Sequence, residues 1–231
     1  MINLSIVIPV GPRPSHRRWL QETLDSIYPQ REDGDEILLV DDMASADLPG
    51  ELANKPAPGS GLQVVSNPWC LGVASSFNVG VAAADHEYCL LMGSDDRLNR
   101  GALAAAREEI RINAHPTRTY FYFGVEYSDG RFQTAPCGAA VVSKALWRHL
   151  GGFPLESATG AQDAALLSII LGNGERAALL QAIDEGRPHY WYRSHNESDT
   201  ATVGAAWQGV ILTTRDLLTA QWKPPQWGRF T

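Results

Sequence analysis

The chain has 231 residues, 44% hydrophobic and 19% charged, and a formal net charge of −7. This is the makeup of a globular protein large enough to bury a core without disulfide staples. No apolar run approaches the roughly 20 residues that span a membrane, and the acidic balance argues against broad nucleic-acid binding, which draws on Lys and Arg to displace counterions.

Leu4–Val10 is a continuous apolar run rich in β-branched residues. It reads as a strand buried on both faces, and it is too short and lacks the basic leader of a signal peptide. Ser15 is placed to cap a helix in which Trp19, Leu20, Thr23, Leu24 and Ile27 recur at helical spacing, with Pro29 ending it. Residues 36–40 form a second strand that ends on Asp41 and Asp42. A Pro/Gly/Ala-rich connection over 49–61 leads to a third strand at 62–65, and residues 72–84 read as a helix of small side chains suited to close packing on a sheet. Residues 88–92 are a fourth strand, and 100–114 a charged, alanine-rich helix.

Alternation of strand and helix predicts βαβ units and a mostly parallel sheet. Ligands of such sheets bind beyond the carboxyl ends of the strands. That rule gathers Pro9, Val10 and Gly11, then Asp41 and Asp42, then Asp95 and Asp96, along one edge. The last pair is the most informative. Two carboxylates at the end of a core strand are costly unless something pairs with them, and a divalent cation carrying a phosphate ester is one such partner. The plainer alternative is a surface ion pair with Arg97 or Arg100.

The second half changes character. Residues 120–127 are aromatic and partly alternating, and the turn Ser128-Asp129-Gly130 lets 131–134 return as a hairpin. A short strand at 138–142, a helix at 144–150 closed by Gly151 and Gly152, a helix with Asp163 in its first turn and a strand near 176–183 follow. The Trp-rich end, with Trp222 and Trp227, reads as an irregular tail. Trp69 and Trp191 read as packing residues. Cys70, Cys89 and Cys137 show neither CxxC nor metal spacing, so reduced thiols and a cytoplasmic location are expected.

At this point the sequence resembles a known family. Ser5-Ile-Val-Ile-Pro9, Leu24-Asp-Ser-Ile27, Gln30 and Glu36-Ile-Leu-Leu-Val-Asp-Asp42 are similar to the opening of family-2 glycosyltransferases. Asn67 with Gly72 and Asn78-Val-Gly80 resembles the next block, and Gly93-Ser-Asp-Asp96 stands where the family has its Asp-x-Asp motif. Gly151-Gly-Phe153 followed by Gln162-Asp163, and His195 with Ser198, resemble the late blocks. The matches run in order from about residue 4 to 198.

The resemblance implies an α/β fold of GT-A type: a Rossmann-like, mostly parallel sheet flanked by helices, with a smaller mixed acceptor-side sheet. It implies one glycosyltransferase domain over 1–231, with a nucleotide-sugar half (about 1–115) and an acceptor half with the C-terminal tail (about 116–231). The implied donor is a nucleotide-diphosphate sugar, a UDP-sugar by default, with Mn²⁺ or Mg²⁺ and inversion at the anomeric carbon. Pro9, Val10, Gly11, Asp41, Asp42, Asn67, Gly72, Asn78, Ser94 and Asp96 would contact the donor. Asp95, Asp96 and His195 would hold the metal, and Asp163 would be the general base. The acceptor is a hydroxyl on a glycan, lipid-linked sugar, metabolite or protein. A modified DNA base is a further option, with Arg13, His16, Arg17 and Arg18 as its basic groove.

The sequence departs from the family at Gly93, in place of the first motif Asp, and at Gln162, in place of the Glu before the base. It also departs at Gly11-Pro12, in place of Tyr-Asn, and at Phe77, in place of an Arg. Two other functions stay open. One is a nucleotide-sugar-binding module with impaired catalysis, supported by Gly93 and Gln162. The other is a sugar nucleotidyltransferase, which needs a Gly-rich loop after the first strand; Gly11-Pro-Arg-Pro lacks those glycines.

Overall fold

The computed structural model describes residues 2–42, 61–134, 138–153 and 179–196. Nine strands build one sheet among these residues: β1 Leu4–Val10, β2 Glu36–Asp41, β3 Leu62–Ser66, β4 Tyr88–Leu91, β5 Arg97–Leu98, β6 Thr119–Tyr127, β7 Phe132–Thr134, β8 Ala140–Ser143 and β9 Leu179–Tyr192. The order is β3-β2-β1-β4-β8-β6-β9-β5, with β7 on β6. The first four pair parallel with one another. β8 then pairs antiparallel with β4 and with β6, so the mixed second half continues the same sheet.

Alternating side chains of the central strands supply two cores, one on each face. Ile6, Ile8, Ile37 and Leu39 join Leu20, Leu24 and Ile27 of α2 (Leu20–Ile27) and Leu103 and Ile110 of the helix Ala102–Ile112. Val7, Leu38 and Val40 face Ala74, Phe77 and Val81 of α3 (Val73–Ala83) and Leu146 and Leu150 of the helix Lys144–Leu150. We number the last two helices α4 and α5. A Cβ at Gly80 would lie 2.2 Å from Val7 Cγ1, so only glycine lets α3 sit this close to β1.

Buried charge at the amino ends of the strands is fully used within the fold. Asp35 accepts from Leu4 N at 2.9 Å and pairs with Arg107, and Glu36 accepts from Ser5 Oγ at 2.5 Å and Asp85 N at 2.7 Å. Buried carboxylates alone therefore do not mark a site in this chain.

Three expectations are corrected. The helix expected over 15–27 is two helices, α1 (Pro14–Arg18) and α2, broken at Trp19, whose backbone leaves the helical region at φ −110° and ψ 4°. Ser15 does not cap it: Arg13 holds that position, Pro14 opens the first turn as its fixed φ favours, and Ser15 is buried. The strand expected to end near 183 runs on to Tyr192, parallel to β6 with register shifts around Gly124. The hairpin of β6 and β7 forms as expected. The 49–61 connection up to residue 60, Cys137, Gln162, Asp163, Ser198 and the Trp-rich tail lie outside the described residues.

Candidate active site

The carboxyl ends of β1, β2 and β4 lie side by side. Val10 stands opposite Asp41 in the β1–β2 register, and Asp42 N donates to Val10 O at 2.9 Å. Pro9, Val10, Asp41 and Asp42 are buried there, with Gly11 half-buried beyond them.

Asp42 faces its own chain. Oδ1 accepts from Leu71 N at 2.7 Å and Asn67 Nδ2 at 2.9 Å, while Oδ2 accepts from Gly72 N at 2.8 Å and Cys70 Sγ at 3.4 Å. Asn67 also donates to Ser76 Oγ at 3.0 Å. These bonds fix the 67–72 loop from beneath and set Gly72 at the N-cap of α3. Burial first, and then Asp42, push the Cys70 thiol up. Trp69 crowns the loop at 63% exposure, which corrects its reading as a packing residue.

Asn78 is likewise engaged. Its Oδ1 accepts from Phe153 N at 2.8 Å and Trp147 Nε1 at 3.0 Å, and its Nδ2 donates to Phe153 O at 3.0 Å. The structure thus gives Asn78 a clamp on the Gly151-Gly152-Phe153 turn.

After β4 the chain turns through Gly93, Ser94, Asp95 and Asp96 into β5. Ser94 is buried, and the Thr23 hydroxyl of α2 lies 2.8 Å from both Ser94 O and Asp96 O. Asp96 is 3% exposed. It accepts from the Tyr190 hydroxyl on Oδ2 and from Arg193 N on Oδ1 at 2.7 Å. Burial, and next the charge of Asp95, hold its carboxyl well above the usual carboxylate range; the bonds from Tyr190 and Arg193 work the other way. Asp95 is half-buried and meets His195 Nε2 through Oδ2 at 2.9 Å. It pairs with His195, and Arg97 turns to Glu22 at 2.8 Å.

Gly93 explains how the two carboxylates fit. A Cβ there would lie 2.8 Å from Asp96 Oδ2 and 2.9 Å from Asp95 Oδ1. Both side chains fold back over this position, and Tyr190, Arg193 and His195 keep them from swinging away.

Among the described residues no three His, Cys, Asp or Glu side chains are grouped to hold a metal. Asp95 and His195 form a pair, and Asp96 is committed to Tyr190 and Arg193. A carboxylate with an imidazole still fits a hard divalent cation that takes its remaining ligands from phosphate and water. The second ring nitrogen of His195, Nδ1, is buried without a hydrogen-bond partner.

Tyr190, Arg193, Glu22 and Thr23 were not legible as site residues. The antiparallel pairing of β5 with β9 (Arg97 to Trp191, Leu98 to Tyr190) carries the segment 190–195 to the aspartates.

The comparisons with known proteins agree with this architecture. TarS from S. aureus, solved as residues 1–349 in complex with UDP-GlcNAc, superposes with a TM-score of 0.72 at 17% identity, covering 96% of this chain and 68% of that one. A longer TarS structure superposes at 0.67 and 18% identity, and this chain covers 42% of its length. The mannosyltransferase PcManGT from Pyrobaculum calidifontis, in complex with GDP-Man and Mn²⁺, gives 0.67 at 17% identity, covering 96% of this chain and 66% of that one. The fold is the GT-A glycosyltransferase fold. No curated protein matches in sequence. The family model described as glycosyl transferase family 2 matches residues 5–150, more than half the chain. On that match, this chain belongs to glycosyl transferase family 2.

Proposed function

We propose that this protein moves a sugar from a nucleotide-diphosphate sugar to an acceptor hydroxyl with inversion. The observation that carries the reading is the Asp95–His195 pair, which a residue 100 positions away completes at the end of β4. Beside it, Pro9, Val10, Gly11 and Asp41 line the strand ends where a base and ribose would lie. Two neighbours of this fold hold UDP-GlcNAc and GDP-Man, which supports a donor of that class. Cys70 and Cys89, free among the described residues, go with a cytoplasmic enzyme.

In this reading Asp95 and His195 would hold Mn²⁺ or Mg²⁺, and the cation would neutralise charge on the departing diphosphate. Asp96 and Ser94 shape the turn from which Asp95 projects. Asp163 takes the proton of the acceptor hydroxyl as that oxygen attacks the anomeric carbon. The bond from that carbon to the diphosphate oxygen breaks on the opposite face. The nucleotide half spans about 1–115, and the remainder receives the acceptor.

A thermal-shift panel of nucleotide sugars with and without Mn²⁺ tests the donor. A ligand at a hundred times its dissociation constant stabilises by about 2.7 kcal/mol. No shift with any nucleoside diphosphate, in wild type and Asp95→Ala alike, overturns the reading. Asp163→Asn should bind donor and lose roughly 10²- to 10⁴-fold in turnover, the usual yield of general base catalysis. Gly93 favours a second reading, a binding module with impaired catalysis; binding without transfer or hydrolysis of any donor selects it.

A further inference from the structure

A metal-ligating histidine ordinarily has its second ring nitrogen fixed by a hydrogen bond, which sets the orientation of the ring. His195 lacks that bond: Nε2 meets Asp95, and Nδ1 is buried without a partner. One hydrogen bond leaves a ring free to pivot about it. The side chain is only 13% exposed, so something else holds its plane.

Trp19 is packed against it. The two ring centroids lie 4.7 Å apart with the planes inclined at 55°. Trp19 in turn lies 4.7 Å from the Arg193 guanidinium, Arg193 lies 4.7 Å from the Trp191 ring, and Trp191 lies 3.8 Å from the Arg97 guanidinium. Cation and ring alternate over these residues and end on His195. Glu22 ties the two arginines, accepting from Arg97 at 2.8 Å and from Arg193 at 2.6 Å. Arg193 also donates from Nε to Asp95 O at 2.8 Å, and its backbone N–H goes to Asp96. The break between α1 and α2 falls at Trp19, the residue that meets His195.

We propose that Trp19 and Arg193 are positioning residues, and that the ladder Arg97–Trp191–Arg193–Trp19 sets the plane of His195 against Asp95 in place of the missing hydrogen bond. The proposal rests on Asp95 and His195 being the donor-side pair. Neither Trp19 nor Arg193 is assigned a contact with the reacting atoms.

The test reads His195 directly. In wild type its ring protons should be displaced by the ring current of Trp19 in a proton NMR spectrum, assigned with His195→Gln. Trp19→Ala should abolish that displacement and weaken binding of UDP with Mn²⁺ about tenfold, the lower end of the loss seen when a metal ligand's support is removed. Trp19→Phe should keep most of both. Arg193→Lys keeps the charge and loses the planar fork, so it should move the His195 resonances in the same direction by less.

Unchanged affinity for UDP with Mn²⁺ in Trp19→Ala, in a protein that only melts lower, overturns the proposal, since loss of the displacement alone follows from removing the ring. If Trp19→Ala does not fold, Arg193→Lys decides: His195 resonances unmoved there, with unchanged affinity for UDP with Mn²⁺, overturn it equally. The NMR arm uses no nucleotide. Wild type that binds no nucleotide, with His195 resonances that Arg193→Lys moves, would refute the donor reading while leaving the ladder's effect on His195 established.

Discussion

The Tyr190 hydroxyl donates to the carboxylate of Asp96, 94 residues earlier in the chain, and both groups are buried. Among the described residues the Asp96 carboxylate accepts from this hydroxyl and from the Arg193 backbone N–H. Tyr190→Phe removes the donor and leaves an acceptor buried with one partner fewer. It should cost about 1–3 kcal/mol, the usual range for such a loss. Urea unfolding checks this, and an unchanged midpoint would show that the bond contributes nothing.

Gly93→Ala tests whether the glycine is a space required by its neighbours. The added Cβ meets Asp96 Oδ2, which Tyr190 holds, and Asp95 Oδ1, whose sister oxygen Oδ2 meets His195. Gly93→Ala should lower the melting temperature, and Gly93→Asp, which restores the family's residue, should weaken binding of UDP with Mn²⁺. Tighter binding by Gly93→Asp would instead mark Gly93 as a simple lost ligand. The cost of Gly93→Ala should shrink in an Asp96→Ala background, a coupling that a double-mutant cycle measures.

Asn78→Ala strips Phe153 N, Phe153 O and Trp147 Nε1 of their shared partner. Removing a buried partner costs about 1–3 kcal/mol for each group left bare, so a loss of about 3 kcal/mol or more is expected in urea unfolding. Asn78→Asp should fail to restore it, because a carboxylate cannot donate to Phe153 O.

Burial pushes the Cys89 thiol up to about 12. The sign follows from linkage. The thiol's proton is held more tightly in the folded chain, so this contribution to stability is complete below the unfolded value of 9.0. It is lost as pH rises toward about 12. Wild type should therefore lose stability over that span faster than Cys89→Ala, as urea unfolding at a series of pH values would show. Alkylation at pH 8 followed by peptide mapping should leave Cys89 unlabelled until the protein unfolds.

The sheet was legible in the sequence because its central strands are buried on both faces and so read as unbroken apolar runs: Leu4–Val10 and Glu36–Asp41 are buried at every position. The three strand ends followed from the carboxyl-end rule. The break at Trp19 was hidden, since Leu20, Leu24 and Ile27 keep helical spacing through it and only Trp19 itself leaves the helix. Asn78 and Asp42 were read as donor contacts because polar residues in such blocks face ligand and scaffold alike. Only coordinates show Asn78 bound to Phe153, and Asp42 bound to the loop beneath Trp69. Tyr190 escaped because its partner depends on register with a two-residue strand, β5, which carries no periodic signal.

The bond from Arg193 to Glu22 joins residues 171 positions apart. Synthesis delivers the amino-terminal strands long before their latch. Until residue 195 has left the ribosome, the turn at Asp95 and Asp96 has neither Tyr190 nor His195 to hold it. Contacts of such separation close late, because the loop entropy is spent before they form. The parallel sheet thus precedes the segment that fixes its carboxyl edge, and a nascent chain stopped before residue 190 would carry Asp95 and Asp96 without Tyr190, Arg193 and His195 to hold them.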